Sequence, residues 1–237
     1  MNLTDKTVLI TGANGGLGQS LVRYCLDHGA KSVYCCVRDA ASLATLQETH
    51  DAVQVYRLDI TNAAETEAMA GAIGAIDILI NNAGVNSGKR VFETGASDFD
   101  VNVQGTLNVC RAFAPKIAEN GALVTVTSIL ALVNLPVMGL YCASKSALHS
   151  LTQAMRAELA PKKIEVYEVL PGPIDTRMTE GQEMEKTSPD MIAEKIFEGV
   201  VQKRYEIYPD AFSQGIKAAL EKDPEGIAAD FGRTVQG

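Results

Sequence analysis

Short runs of β-branched and other apolar residues alternate with longer segments of helical periodicity along the whole chain. This alternation constrains the fold more than any other feature of the sequence, because it predicts right-handed β-α-β crossovers and a parallel sheet covered on both faces. The longest helices are predicted at about 97–118 and 140–160, and another runs from about Ser188 to Gln202. The predicted strands are 7–10, 32–37, 53–59, 77–82, 122–128, 164–170 and 205–209.

The predicted strands are almost continuously apolar, which is typical of strands buried on both faces. We therefore predict a doubly wound α/β domain with a sheet of about seven parallel strands. No repeat or linker divides the chain, so residues 1–237 are expected to form a single domain. Ligands of such sheets bind beyond the carboxyl ends of the strands. The segments that follow strands there are TGANGGLG (11–18), NNAG (81–84), TS (127–128) and PGPI (171–174).

Charge and hydropathy exclude two classes of partner. The net charge is −8 and the basic residues are scattered, which argues against nucleic acid or an anionic membrane surface. The N-terminus has no apolar run of signal-peptide length, and the longest apolar stretch, 129–143, is too short to span a bilayer. We expect a cytoplasmic protein that acts on a small molecule.

Neither the cysteines nor the histidines have the spacing of a metal site, so no metal is predicted. The cysteines are expected to be buried and reduced, with a redox-sensitive thiol at Cys142 as the alternative. The five cysteines are Cys25, Cys35, Cys36, Cys110 and Cys142. The histidines, interpreted as surface or helix-end residues, are His28, His50 and His149.

The segment TGANGGLG follows the first predicted strand and opens the first helix. Glycine at Gly12, Gly16 and Gly18 permits a tight turn and lets backbone N–H groups approach a pyrophosphate at the positive helix end. A purely structural turn is the alternative. The position directly after the first strand favours a dinucleotide site.

The end of the second strand indicates which dinucleotide is bound. An NAD-type site usually has a carboxylate there, which accepts hydrogen bonds from ribose hydroxyls, but here Val37 is followed by Arg38. An arginine binds a 2′-phosphate that a carboxylate would repel, so NADP(H) is favoured over NAD(H). Two alternatives stay open: a shift of one residue in the strand register would give Asp39 the NAD role, and Arg38 is otherwise a solvated surface charge.

The segment YCASK, Tyr141–Lys145, places a phenol and an ammonium four residues apart. On a helix the two groups share a face. A nearby cation lowers the pKa of a tyrosine from its usual value of about 10. The pattern predicts a tuned proton donor, and the alternative is a coincidental pair on one helix face.

Together these segments resemble the short-chain dehydrogenase/reductase family. The resemblance covers residues 6 to about 176 and rests on TGANGGLG, LDIT, NNAG, Asn102, Ser128, YCASK and PGPIDT in the family's order and approximate spacing. It implies a Rossmann fold and an oxidoreductase that transfers a hydride between the nicotinamide and an aldehyde, ketone or alcohol. With NADP(H) favoured by Arg38, the expected function is that of an NADPH-dependent oxidoreductase.

The resemblance also implies roles for individual residues. Tyr141 would donate or accept the proton, Ser128 would polarise the same substrate oxygen, and Lys145 would bind ribose hydroxyls and stabilise the tyrosinate. Asn102 would complete this set by helping to hold a water at the lysine. The cofactor-binding residues predicted from the motifs and the resemblance together are Gly12, Asn14, Gly16, Leu17, Gly18, Arg38, Asp59, Ile60, Asn82, Ala83, Gly84, Tyr141, Lys145, Pro171, Gly172, Ile174 and Thr176.

The substrate is expected to contact Ser128, Leu130 and Tyr141 beneath a lid at about 172–188. The apolar stretch Ile129–Leu140 suits a substrate with a hydrophobic body. Three loop cations are candidates for binding an anionic group, although solvated charges are the simpler interpretation: Lys89, Arg90 and Arg177.

The segment after residue 204 lacks the glycine-rich ending common in the family, which argues against a tetramer. A homodimer through the two long helices, or a monomer, is expected instead. Two other functions stay open. A redox-sensing NADP-binding regulator without turnover is disfavoured by the intact Ser128, Tyr141 and Lys145 set. A sugar-nucleotide epimerase or dehydratase shares Y-x-x-x-K but usually has a larger C-terminal substrate domain.

Overall fold

A computed structural model describes residues 2–235, and a seven-stranded parallel sheet organises them. The sheet order is β3-β2-β1-β4-β5-β6-β7. The chain reverses its direction of growth between β1 and β4, which is the switch point where ligands bind in sheets of this kind. The doubly wound sheet predicted from the sequence is therefore confirmed. The strands are β1 (Thr7–Thr11), β2 (Ser32–Val37), β3 (Val53–Arg57), β4 (Ile76–Asn81), β5 (Ile117–Val126), β6 (Glu165–Val169) and β7 (Glu206–Ile207).

Helices cover both faces of the sheet. A π-helical segment, Phe99–Gly105, leads directly into α4. The longest helix, α5, has 21 residues, and no helix between residues 2 and 235 has the length and apolar character needed to cross a bilayer. The α-helices of this part of the chain are α1 (Gly16–Asp27), α2 (Ala44–Thr49), α3 (Ala63–Ala72), α4 (Thr106–Phe113), α5 (Gly139–Leu159), α6 (Pro189–Val201), α7 (Ala211–Lys222) and α8 (Pro224–Gly232).

Two apolar layers fix the helices to the sheet. On one face, Leu21 of α1 and Ile196 of α6 pack in a cluster with Ile10 of β1. On the other face, Phe113 of α4 packs in a cluster with Leu9 of β1. Because consecutive side chains of a strand point to opposite faces, one apolar strand supplies both layers. The result is a single Rossmann-like α/β domain.

The predicted helix 97–118 is wrong in its extent. The π-helical segment and α4 are followed by a 3₁₀ turn, Ala114–Lys116, and β5 already begins at Ile117. Pro115 in this turn cannot donate a backbone hydrogen bond and disfavours helical geometry at the residue before it. Apolar periodicity across this proline concealed the change from helix to strand.

The C-terminal segment returns to the carboxyl edge of the sheet. Asp210, at the N-terminus of α7, accepts hydrogen bonds from Ser213 N (2.8 Å) and Gly172 N (2.8 Å). Asp210 is buried, so both carboxylate oxygens are satisfied inside the protein. The loop after β6 is thereby tied to the last helices of the chain.

We predict that Leu123→Ala strongly destabilises the fold. Leu123 is 0% exposed on β5, and removing a buried leucine side chain leaves a cavity that costs about 2–5 kcal/mol. Urea denaturation should show a lower midpoint with an unchanged slope. Val201→Ala, at a side chain 56% exposed on α6, is the control and should change stability by less than about 0.5 kcal/mol. Equal losses in both variants would contradict this assignment of the core.

Candidate active site

Hydrogen bonds join the loops after β1 and β4 at the switch point. The Asn82 side-chain amide donates to Thr11 O (3.0 Å) and Gly12 O (3.1 Å). The backbone N–H groups of Asn82 and Ala83 both donate to Thr11 Oγ1 (3.0 and 3.1 Å). Thr11 was not among the predicted site residues, because a threonine at a strand end is common and has no motif of its own.

The glycine loop leaves no room for side chains. Gly12 has φ +64°, and a Cβ there would lie 2.9 Å from Ala83 Cα. A Cβ on Gly18 would lie 2.2 Å from Gly12 O, and one on Gly16 would lie 2.6 Å from Thr176 Cγ2. The N-terminus of α1 receives no hydrogen bond from a capping side chain, so its backbone N–H groups suit an anion. The loop therefore fits a dinucleotide pyrophosphate.

The end of β2 lies where the sequence predicts it, at Val37. Arg38 follows and is exposed. The Asp39 carboxylate accepts a hydrogen bond from Ala41 N (3.1 Å) and caps a 3₁₀ turn. Close by, the Asn14 amide donates to Ser42 Oγ (3.0 Å). The predicted strand register is correct, and Asp39 is bonded to its own backbone segment.

The residues after β3 form a second wall of this region. Asp59 accepts hydrogen bonds from Thr61 N (3.0 Å) and Thr61 Oγ1 (2.7 Å). These bonds hold the pKa of Asp59 below its usual value, and Arg38 adds to the effect. Ile60 is buried, and its carbonyl accepts from the Asn108 side chain (3.0 Å). Leu17 is buried in the core beneath the loop.

Ser128, Tyr141 and Lys145 are buried together beyond the end of β5. Lys145 Nζ lies 5.7 Å from the centre of the Tyr141 ring and donates to Val126 O (3.0 Å). The predicted shared helix face is therefore observed. Ser128 Oγ accepts from Leu130 N (3.1 Å), which leaves the hydroxyl proton of the serine free to be donated.

The pKa values of this pair reflect burial. Burial raises the pKa of Tyr141 to about 12, and the Ser128 hydroxyl acts in the opposite direction. Burial lowers the pKa of Lys145 to about 8, while Glu168 and Asp98 oppose that change. The predicted lowering of the tyrosine pKa by the lysine is not observed. A phenol with this pKa keeps its proton at neutral pH, which suits a proton donor.

Asn102 lies in the π-helical segment and connects two parts of the site. Its Oδ1 accepts from Val85 N (2.8 Å), and its Nδ2 donates to Val85 O (2.9 Å) and Ser144 Oγ (2.9 Å). A Cβ on Gly84 would lie 3.1 Å from Asn102 Oδ1 and 3.4 Å from Lys145 Nζ. Asn102 thus holds the NNAG loop against α5, whereas its predicted contact with a water stays a prediction.

Asp98 is a site residue that sequence reasoning missed. It is fully buried and accepts hydrogen bonds from Ser87 N (3.1 Å) and the Ser87 hydroxyl. An aspartate just before a helical pattern is ordinarily interpreted as an N-cap, but Asp98 caps no backbone N–H here. It fixes the loop after β4, and farther along that loop Lys89 O accepts from Leu140 N (3.2 Å) at the start of α5.

The loop after β6 is held at both ends. Pro171 O accepts from Ile129 N (3.0 Å), and Ile174 pairs with Thr187 in an isolated bridge. Thr176 lies against Gly16 of the glycine loop. The segment predicted as a lid, 172–188, is therefore a loop whose two ends lie close together beside the glycine loop.

The walls predicted for the substrate pocket are only partly accessible. Leu130 is half-buried, whereas Ile129 and Ala131 are buried in the core. The loop cations Arg90 and Arg177 are exposed. Nothing tests the alternative to solvated charges, in which they bind an anionic group of the substrate. The backbone N–H of Arg90 donates to Glu93 Oε2 (2.6 Å).

His149 is not the surface or helix-end residue that was predicted. It lies in the middle of α5, and its Nδ1 is 2.8 Å from Oε2 of the buried Glu168. Glu168 was missed as well, although a carboxylate in a strand predicted to be buried on both faces was the available signal. His28 and His50 follow the ends of α1 and α2, as predicted.

The prediction that the cysteines are buried is consistent with the structure. All five cysteines are free and buried. Burial raises the pKa of Cys142, which argues against a redox-sensitive thiol there. Within residues 2–235, no group of three or more histidine, cysteine, aspartate or glutamate side chains is arranged to hold a metal ion.

Comparison with known proteins identifies the family. A short chain dehydrogenase of Burkholderia cenocepacia J2315, solved with NADP, is 35% identical with a TM-score of 0.91, covering 98% of this chain and 99% of its own. A short chain dehydrogenase/reductase of Burkholderia phymatum, solved with NAD, is 25% identical with a TM-score of 0.85, covering 95% and 96%. An oxidoreductase of Staphylococcus aureus strain USA300 is 30% identical over 86% of this chain and 94% of its own length.

The sequence profile of the family described as short chain dehydrogenase matches residues 6–187. That range includes the glycine loop, the π-helical segment and the buried Ser128, Tyr141 and Lys145. The chain therefore belongs to the short-chain dehydrogenase family.

Proposed function

We propose that this oxidoreductase is NADPH-dependent and interconverts a carbonyl group and an alcohol on a small molecule. The observation that carries the proposal is the buried cluster of Ser128, Tyr141 and Lys145, which lies beside a glycine loop that fits a pyrophosphate. When bound, the nicotinamide supplies or accepts the hydride. The protein's own residues bind the cofactor, orient the substrate and protonate the carbonyl oxygen.

Tyr141 is the proton donor to the carbonyl oxygen in the reducing direction. Its pKa of about 12 keeps the phenol protonated at neutral pH. Ser128 donates its hydroxyl proton to the same oxygen, since Leu130 N occupies an acceptor site on Oγ (3.1 Å). Two donors aimed at one oxygen stabilise the negative charge that develops there during reduction.

Lys145 holds the cofactor and supplies positive charge to the site. Its three N–H donors exceed its single bond to Val126 O, which leaves donors for ribose hydroxyls. Asn102 is a positioning residue, because its three hydrogen bonds join Val85 to Ser144 on α5. The NNAG loop is therefore held against the helix that carries the lysine.

Arg38 supports NADPH as the preferred cofactor. It follows the last residue of β2 and is exposed, so its guanidinium is available to a 2′-phosphate. The Asp39 carboxylate, which would favour NAD, is engaged with Ala41 N (3.1 Å). The relative of 35% identity was solved with NADP and the one of 25% identity with NAD.

The proposed substrate has a hydrophobic body that contacts Leu130 beneath the segment 172–188 acting as a lid. Leu130 is half-buried, and the base of that segment is fixed by Ile174 and Thr187. The expectation of a homodimer or a monomer stays a prediction. Assays of a panel of aldehydes, ketones and alcohols with NADPH, NADH and their oxidised forms test the proposal. Binding of NADPH without turnover of any compound would favour the redox-sensing regulator.

Replacing Tyr141 by phenylalanine should remove the proton donor and leave cofactor binding intact. General acid catalysis contributes about 100- to 10,000-fold, so kcat should fall by at least about 100-fold, while the dissociation constant of NADPH changes little. Tyr205→Phe, at a tyrosine 46% exposed, is the matched control and should retain activity. Activity of Tyr141→Phe within a few-fold of the unmodified protein would exclude this role.

The affinity for NADPH should fall as the pH rises through about 8. The pKa of Lys145 is lowered to about 8 by burial, so the ammonium is charged below that pH and loses its charge above it. Tyr141, with a pKa of about 12, does not titrate in the same range. Fluorescence titrations of NADPH from pH 6.5 to 9.5 measure the effect. An affinity that does not change over that range would contradict the role of the lysine charge.

Arg38→Ala should weaken NADPH binding about 10- to 100-fold and leave NADH binding almost unchanged, because charge-assisted hydrogen bonds to the 2′-phosphate are lost. Lys31→Ala removes the same charge just before the opposite end of β2, where the side chain is also exposed. That control should not change the preference. If the unmodified protein already binds NADH more tightly than NADPH, the proposed cofactor preference is wrong.

A further inference from the structure

A buried carboxylate lies on β6, the strand that pairs with β5, whose end binds the lysine of the site. The Glu168 side chain is 0% exposed, on the face of β6 that packs against α5. A carboxylate in such a position is costly unless it is hydrogen-bonded and paired. Its hydrogen-bond partners therefore determine whether the carboxylate is charged and can act on the site.

Both oxygens of Glu168 are engaged. Oε1 accepts a hydrogen bond from the Thr127 hydroxyl (2.7 Å), and Oε2 lies 2.8 Å from His149 Nδ1. On the outer side, His149 Nε2 lies 3.0 Å from Gln153 Nε2. Thr127 and His149 counteract the effect of burial, which raises the pKa of Glu168. Hydrogen bonds of this kind favour the ionised carboxylate.

The same strand end connects this carboxylate to Lys145. Lys145 Nζ donates to Val126 O (3.0 Å), and the next residue, Thr127, donates to Glu168. Lys145 and Glu168 are both buried, and the interaction between buried charges is screened less than that between exposed ones. Glu168 is also the largest influence that opposes the lowering of the Lys145 pKa by burial.

Other charges near this pair come from several elements. Asp98, before the π-helical segment, acts on Lys145 in the same direction as Glu168. Glu206 of β7 raises the pKa of Glu168. Tyr208, just after β7, donates its hydroxyl to Glu206 Oε2 (2.9 Å). Of these acids only Glu168 is bonded to the β5 end that also binds the lysine.

We propose that Glu168 is a positioning residue for this site, a buried anion held by Thr127 and His149 that keeps Lys145 protonated. The inference rests on the proposed function for its meaning in catalysis, whereas the charge state of Lys145 is measurable without substrate. Because Glu168 is negative only once it has lost its proton, it acts at pH values above its own pKa, which burial raises. It extends to higher pH the range in which the lysine is charged.

The test is a direct titration of Lys145 in the full-length protein without cofactor. Lysine labelled with ¹³C at Cε reports its protonation by NMR, and Lys145→Arg identifies the resonance by its loss. In Glu168→Gln, which preserves the shape of the side chain, the titration midpoint of Lys145 should fall by roughly 0.5–1 pH unit. The decline of NADPH affinity with rising pH should move to lower pH by the same amount.

Two control variants separate charge from packing. Glu165→Gln removes an equal charge from the same strand, where the carboxylate bonds Lys203 Nζ (2.8 Å) and the Tyr167 hydroxyl, and it should not move the Lys145 midpoint. His149→Gln keeps an N–H donor for the Glu168 carboxylate. The midpoint should then stay close to that of the unmodified protein.

The outcomes are distinct. An unchanged Lys145 midpoint in Glu168→Gln overturns the inference, as does a shift of equal size in Glu165→Gln. A shift in the same direction in His149→Gln supports the part of the inference in which the histidine holds the anion. A shift in Glu168→Gln that is absent in Glu165→Gln supports the inference, even if no carbonyl or alcohol in the panel is turned over. In that last case the proposed substrate class is wrong, whereas the proposed effect of Glu168 on the charge of Lys145 is supported.

Discussion

The hydrogen bonds from the Asn82 amide to the carbonyls of Thr11 and Gly12 are the interaction on which the arrangement of the site depends. They join β1 to β4 at the point where the sheet reverses its direction of growth, and that reversal opens the crevice in which ligands bind. The same loop then passes Gly84 over Lys145 and is fixed by Asn102. Backbone and side-chain hydrogen bonds, and not apolar packing alone, therefore fix the position of the glycine loop relative to the buried lysine.

Burial of Lys145 lowers the free energy of unfolding at neutral pH. Its pKa in the folded protein is about 8, below the ordinary 10.5, so between these values the unfolded chain binds more protons than the folded one. Linkage then requires stability to rise with pH across this window, and the charged lysine destabilises the fold at neutral pH. A side chain selected for stability alone would be apolar at this position. Under the proposed function, the charge is retained because the ammonium binds the ribose hydroxyls of the cofactor.

Motifs tied to backbone geometry could be predicted from the sequence, whereas tertiary electrostatics could not. The glycine loop, the end of β2 at Val37 and the shared helix face of Tyr141 and Lys145 all follow from local spacing, and the structure contains each of them. The pKa of Tyr141 was predicted in the wrong direction, because a single sequence shows the neighbouring lysine and not the extent of burial, which dominates. The residues that were missed, such as Asp98, act through partners distant in the chain or in loops whose path no periodicity describes.

Glu168 belongs to a polar row that crosses the sheet beneath α4 and α5. Asn81 of β4 is in register with Thr125 of β5, and Thr125 is in register with Glu168 of β6. Among the described residues, Asn81 Oδ1 and Thr125 Oγ1 are buried without a hydrogen-bond partner, and each such group costs about 1–3 kcal/mol. A sheet optimised for stability would have apolar residues in this row, as it has two residues nearer the amino end on the same face, where Leu79 is in register with Leu123. The cost is concentrated at the carboxyl edge of the sheet, near the buried lysine. Polar groups there favour the charged form of the lysine, whereas in an apolar interior the lysine would become neutral.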